Sequence, residues 1–349
     1  KGGDDVATFL EGIMNLFRFF PFLCLLLITT TACSPGIPAH EPKQELLLNA
    51  QYIDDDRILC LYDSMTKPNQ VLELYDTNSH RTQTIELPED LGRVLPTGIV
   101  KGDQHIYVFE GYAVASIHPE TLQVEDIFSV DGLSFSDTPL SKDGNLLFRT
   151  EEGLAIAPVQ DPNASVLIQK NEDTVFYHWG KWSPDGKKAA YFRGVDGKSL
   201  DSLCIQTIET GEEIVLPLDL ETNNYLWSHQ SDAIVLAGAR SNGPLTLFLF
   251  DANTGGLKQE INLIEAGLPE PNSIAVLDCY ENDVLIQMFC GDLGDEQSPL
   301  LIYHLDQDQW EYLTPEEYYS TNASFSLDGK KVAVCHQNSP EQLEIFPLP

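Results

Sequence analysis

Apolar residues in this chain recur in short runs, and the runs come in pairs divided by a tight polar turn. The clearest copies are Trp182-Ser183-Pro184-Asp185-Gly186-Lys187-Lys188-Ala189-Ala190-Tyr191 and Phe325-Ser326-Leu327-Asp328-Gly329-Lys330-Lys331-Val332-Ala333-Val334. In the first, Pro184 presets φ, Asp185 can bond nearby backbone and Gly186 accepts a positive φ. Lys142-Asp143-Gly144 keeps the Asp-Gly core, a strong short-range hairpin signal. Looser copies fall at Asp55, Asp103, Gln230 and Asn282, so seven anchors follow one another at intervals of 40 to 52 residues.

A third and fourth strand follow the anchors. Leu203–Ile208 leads to Glu209-Thr210-Gly211, and Leu245–Phe250 leads to Asp251-Ala252-Asn253-Thr254-Gly255. No amphipathic helical run is predicted after residue 40. A period of roughly 40–50 residues with four short strands per repeat predicts an all-β, seven-bladed β-propeller of antiparallel blades.

The Trp-Ser-Pro-Asp-Gly-Lys-Lys signature resembles the WD-repeat-like blades of TolB-type propellers. The likeness is good over residues 179–192 and 322–334, and fair over 138–148. Elsewhere it rests on spacing and apolar pattern. The resemblance implies a toroid of radial sheets around a central channel, used as a binding platform more often than as an enzyme.

The seventh repeat runs out of chain after Leu343–Phe346, one strand short. The expectation is that the N-terminal stretch Glu41–Leu48 supplies that strand and closes the ring, removing an open sheet edge. A three-stranded last blade is the rival. The 316 residues after Cys33 match seven blades, and residues 44–349 are assigned to the propeller. On this count the sequence has no room for an appended hydrolase domain.

Upstream, Met14–Arg18 is a short charged start, Phe19–Ile28 is apolar, and Thr29–Cys33 is a small-residue processing zone. This is a secretory signal over 14–32, with too few apolar residues to span a bilayer. Cys33 after Thr31-Ala32 resembles a bacterial lipobox, with Thr30 where Leu is usual. The resemblance implies lipidation of Cys33; plain secretion by cleavage after Ala32 is the alternative. Residues 33–43, with Pro35, Pro38 and Pro42, read as a stiff tether. Residues 1–13 read as upstream or miscalled sequence. The expected location is extracytoplasmic, lipid-anchored to a bacterial membrane.

The net charge of −34, from 20 basic and 54 acidic residues, argues against nucleic acid as a partner. It serves solubility, or attraction of cationic partners or Ca²⁺. Cys60, Cys204, Cys279, Cys290 and Cys335 show no CxxC or zinc spacing and read as buried small hydrophobes. Trp179, Trp182 and Trp227 read as blade packing.

Channel-mouth positions, counted back from the anchors, give Arg93, Asp137, His178, Asn224 and Asn322 as candidate ligand-binding residues. His178, inside Tyr177-His178-Trp179, is either a titratable ligand-binding group or a histidine bonded between blades. The loop Cys290–Glu296 offers oxygens for Ca²⁺ without EF-hand spacing. No P-loop, HExxH or nucleophile elbow is present, and no catalytic residue or resident metal is assigned. Two functions follow. One is a monomeric, membrane-tethered, non-catalytic envelope protein recognising a protein, peptide or glycan at the propeller mouth. The other is an extracytoplasmic lyase or hydrolase with a channel-mouth site.

Overall fold

The computed structural model describes residues 45–349 apart from 65–69, 89–90, 92–93, 111–112, 130–139, 173, 196–199, 218–220, 241–242, 269–272, 290–297, 316–318, 337–341 and 349. The leader, Cys33, the tether, Arg93, Asp137 and the Cys290–Glu296 loop therefore lie outside the described residues.

Seven antiparallel sheets follow one another along the chain. Blade one holds β1 (Glu45–Tyr52), β2 (Arg57–Ser64), β3 (Val71–Asp76) and β4 (Arg81–Ile85). Blade two holds β5 (Val94–Lys101), β6 (Ile106–Glu110), β7 (Ala113–Ile117) and β8 (Val124–Ser129). Blade three holds β9 (Asn145–Arg149), β10 (Gly153–Pro158) and β11 (Val166–Lys170), with a single bridge from Leu140 to Leu146 on its inner side. Blade four holds β12 (Val175–Trp182), β13 (Lys188–Val195), β14 (Leu200–Thr207) and β15 (Glu213–Pro217). Blade five holds β16 (Glu221–Trp227), β17 (Ala233–Ala239), β18 (Leu245–Asp251) and β19 (Leu257–Asn262). Blade six holds β20 (Ser273–Tyr280), β21 (Asp283–Phe289), β22 (Leu300–His304) and β23 (Gln309–Tyr312). Blade seven holds β24 (Ser320–Phe325), β25 (Lys331–His336) and β26 (Leu343–Pro347). The fold is the seven-bladed β-propeller expected from the repeat.

The turn chemistry explains the repeat. Ser183 Oγ donates to Asp185 Oδ1 (2.7 Å) and accepts from Lys188 N (2.9 Å), while Lys187 N donates to Asp185 Oδ1 (3.1 Å). Ser326, Asp328, Lys330 and Lys331 repeat the same three bonds. Gly186 and Gly329 both sit at φ 70°, the left-handed region that a side chain disfavours. In blade five, Ser231 takes that conformation instead, at φ 63°.

Apolar side chains pack between neighbouring sheets. Trp182 joins Leu147 and Leu154 between blades three and four, and Trp227 joins Ala190, Phe192 and Ile205 between blades four and five. The two indoles thus play one role in successive repeats, each packed on the preceding blade. Burying such a side chain contributes on the order of 2–3 kcal/mol.

The N-terminal closure is corrected. Residues 45–52 pair with β2 in blade one, Ala50 opposite Cys60 and Tyr52 opposite Ile58, as its innermost strand. They add no strand to blade seven, which has three among the described residues. The run Leu46-Leu47-Leu48 suits either place, but the turn to β2 is local. Ile53 N donates to Arg57 O, and Asp54 Oδ1 accepts from Arg57 N. Side chains make the seam instead. Gln342 Oε1 accepts from Leu47 N (2.9 Å), Ser324 Oγ donates to Ala50 O (3.2 Å), and Lys331 Nζ reaches Asp55 O and Asp56 Oδ1.

Candidate functional site

The inner strands border the channel, and β1, β5, β12, β16, β20 and β24 each carry a register shift. A bulge re-aims the side chains beside it. The residues that resume pairing include Asn49, Lys181, Asn224, Asp278 and Asn322, a set of polar groups on five inner strands.

Those groups mostly reach across seams. Lys181 Nζ donates to Tyr225 O (2.9 Å) from blade four to blade five. Ser324, at the same distance before its turn as Lys181, donates to Ala50 O in the same way. Asn322 Nδ2 donates to Asn49 Oδ1, and Asn322 Oδ1 accepts from Ala323 N (2.8 Å). Asn322 is thus a tie between blades seven and one. Asn224 lies half-buried beside the bulge of β16.

His178 sits half-buried on β12, its ring edge-on to Phe176 at 4.8 Å. Its Nδ1 lies 3.1 Å from Arg149 Nη1 of blade three. Arginine only donates, so Nδ1 accepts and the ring proton sits on Nε2. Burial, then the Arg149 charge, pushes the His178 pKa down to about 4, so the ring is neutral at physiological pH. The structure thus brings His178 together with Arg149, which the sequence reading missed. Arg149 carries no local motif, and its role depends on a strand 29 residues away.

Asp278 was missed too. It links three blades: Oδ1 receives His229 Nε2 (3.0 Å) from blade five and Cys279 N (2.8 Å), and Oδ2 receives Phe325 N (2.9 Å) from blade seven. Burial alone would lower the His229 pKa, but the Asp278 hydrogen bond and charge outweigh it and raise it. The clue available in sequence was position: Asp278 stands four residues before its anchor Asn282, as Lys181 and Ser324 stand before Asp185 and Asp328.

A serine–histidine–carboxylate sequence exists in blade seven, with Ser320 Oγ 3.3 Å from His336 Nδ1 and His336 Nε2 3.2 Å from Glu344 Oε2. Ser320 and His336 are both 0% exposed, so no substrate reaches them in this state. Burial lowers the His336 pKa against the opposing pull of Glu344. The group joins β24, β25 and β26 at one end. On blade five a polar cleft of about 440 Å³ is lined by Arg240, Thr246, Glu260, Asn262 and Glu265, with Arg240 Nη2 paired to Glu260 at 3.0 Å. Among the described residues, no group of three or more His, Cys, Asp or Glu side chains is placed to hold a metal ion.

A scan against protein families matches none, and no curated protein is similar in sequence. Solved structures are similar in fold. An oligogalacturonate lyase in complex with manganese gives a TM-score of 0.65 at 12% identity, over 86% of this chain and 88% of that one. An oligogalacturonate lyase from Vibrio parahaemolyticus gives 0.67 at 9% identity, over 88% and 92%. A prolyl endopeptidase gives 0.61 at 11% identity, over 87% of this chain and 48% of that one. At these identities the likeness is one of fold.

Proposed function

We propose that the protein is a binding platform of the bacterial envelope. Acylated Cys33 tethers it outside the cytoplasm, and the propeller presents a rigid face to a protein, peptide or glycan. The observation that carries this reading is the use made of the inner-rim polar groups. Lys181, Asp278, Asn322, Ser324 and the His178–Arg149 pair hold blade to blade. Groups bound this way stiffen the ring and are poorly placed to exchange protons with a substrate. The charge of −34 adds a preference for partners with a cationic surface.

The second reading is a lyase, favoured by the fold likeness to two oligogalacturonate lyases. Oligogalacturonate is a polyanion, which a strongly acidic protein repels over a Debye length. The test runs both readings together. The full-length protein is titrated calorimetrically against cationic peptides and neutral envelope glycans, and incubated with oligogalacturonate while absorbance of unsaturated product is followed. Saturable binding that weakens with salt, without product, is expected. Steady product release, lost in His178→Ala, would replace the platform with an enzyme. Anchoring is read separately, by mass spectrometry of the mature N-terminus in wild type and Cys33→Ala. A wild-type protein that starts at Cys33 without acyl chains rejects the tether.

A further inference from the structure

Cys60 on β2 and Cys335 on β25 belong to one buried cluster between blades one and seven, with Leu47, Ala50, Tyr52, Ile58 and Ala333. Alternation along the strands fixes their direction. Leu59 and Leu61, flanking Cys60, pack toward blade two, and Val332 and Val334 pack toward blade six. Cys60 and Cys335 therefore point into the same seam from opposite sheets. Ala50, the register partner of Cys60, is the small residue beside them. Both thiols are at most 1% exposed, and both are free.

We propose that Cys60 and Cys335 are a disulfide-forming pair that locks the ring covalently where the chain does not. Blade seven and blade one are not consecutive in sequence, and no strand is shared between them among the described residues. This seam is therefore the place where a cross-link adds most. The reaction is thiol–disulfide exchange. Each thiol gives up its proton, a sulfur–sulfur bond forms, and the two electrons released reduce an incoming low-molecular-weight or protein disulfide to two thiols. Burial pushes the Cys60 thiol up to about 12 and the Cys335 thiol well above its ordinary value. Little thiolate exists in the closed reduced ring, so the bond forms while the seam is closing during folding. An extracytoplasmic location would supply the oxidant. The chemistry itself can be tested without that location, and without any assumption about a ligand.

The experiment refolds the full chain in a glutathione redox buffer and, in parallel, under excess reductant. Free thiols are alkylated in denaturant and the peptides mapped by mass spectrometry. A Cys60–Cys335 peptide is expected from wild type, absent from Cys60→Ala and Cys335→Ala. Reduction should lower the wild-type melting temperature by roughly 5 to 10 °C and leave that of Cys60→Ala unchanged. Should the variants fold poorly, the wild-type map alone decides. Full alkylation of both thiols after oxidative refolding, or pairing with other cysteines, overturns the proposal. A link without any change in melting temperature overturns its role as a lock.

Discussion

The turns at 183–188 and 326–331 carry the same internal bonds and the same glycine dihedral but stand in different surroundings. At Gly186 a Cβ would meet Asp143 Oδ2 at 3.1 Å and Lys142 Cγ at 3.4 Å, the mobile parts of two side chains of the blade-three turn. At Gly329 it would collide with the Tyr280 ring of blade six. Lys188 caps the outer turn of the next blade in sequence, at Ala252 O (3.2 Å) and Asn253 Oδ1 (2.5 Å). Lys331 crosses to the first turn of the chain, at Asp55 O (3.0 Å) and Asp56 Oδ1 (2.8 Å). The repeated sequence encodes the turn, and the neighbouring blade decides how much depends on it.

The glycines break the comparison most sharply. Gly329→Ala should cost about 3 kcal/mol, combining left-handed strain with a collision against a packed ring. Gly186→Ala should cost about 1 kcal/mol, since long side chains can move aside. Equal losses in denaturant titrations would show that the surroundings do not matter. Next is Gln342→Ala, which leaves the buried Leu47 N–H without its acceptor, at about 2 kcal/mol. Hydrogen exchange at Leu47 should quicken, and a protected Leu47 amide in the variant would count against a side-chain seam.

The lysines give a smaller contrast. Lys331→Met should cost about 1 kcal/mol and lose much of that in high salt, because its partner Asp56 is half-exposed. Lys188→Met, which meets neutral acceptors, should depend little on salt. The smallest effect is acid sensitivity. The Ser326 hydroxyl, then Lys330, holds the Asp328 pKa down to about 2. A carboxylate depressed in the fold stabilises above its unfolded value of about 3.9, and that contribution is lost as pH falls toward about 2. Asp328→Asn should therefore flatten the melting curve between these pH values. For Asp185, burial opposes Ser183 and Lys187, though the net shift is also downward. The flattening in Asp185→Asn should be weaker.

The blades were legible because their determinants are local. Asp-Gly turns and alternating strands lie within a few residues of each other, so seven anchors were enough to count seven sheets. The ties between blades were not legible. Asn322 meets Asn49 at a separation of 273 residues, and Gln342 meets Leu47 at 295. No local pattern marks such a pair. His178 and Asn322 were picked out by position along the inner strands, but their partners come from neighbouring sheets. The described part of the expected closing strand, residues 45–48, was misplaced for a related reason: an apolar triplet fits any strand, and only the hairpin at 53–57 fixes which. Arg93 and Asp137 lie outside the described residues.

The position of β1 has a mechanical consequence. The chain enters the folded unit at Glu45 directly into the innermost strand of a blade, whose bonds to β2 run perpendicular to its length. A pull on the upstream chain directed along β1 would load those bonds together, in shear, from the middle of the toroid outward. The same pull directed across the strand would instead peel the bonds open one at a time.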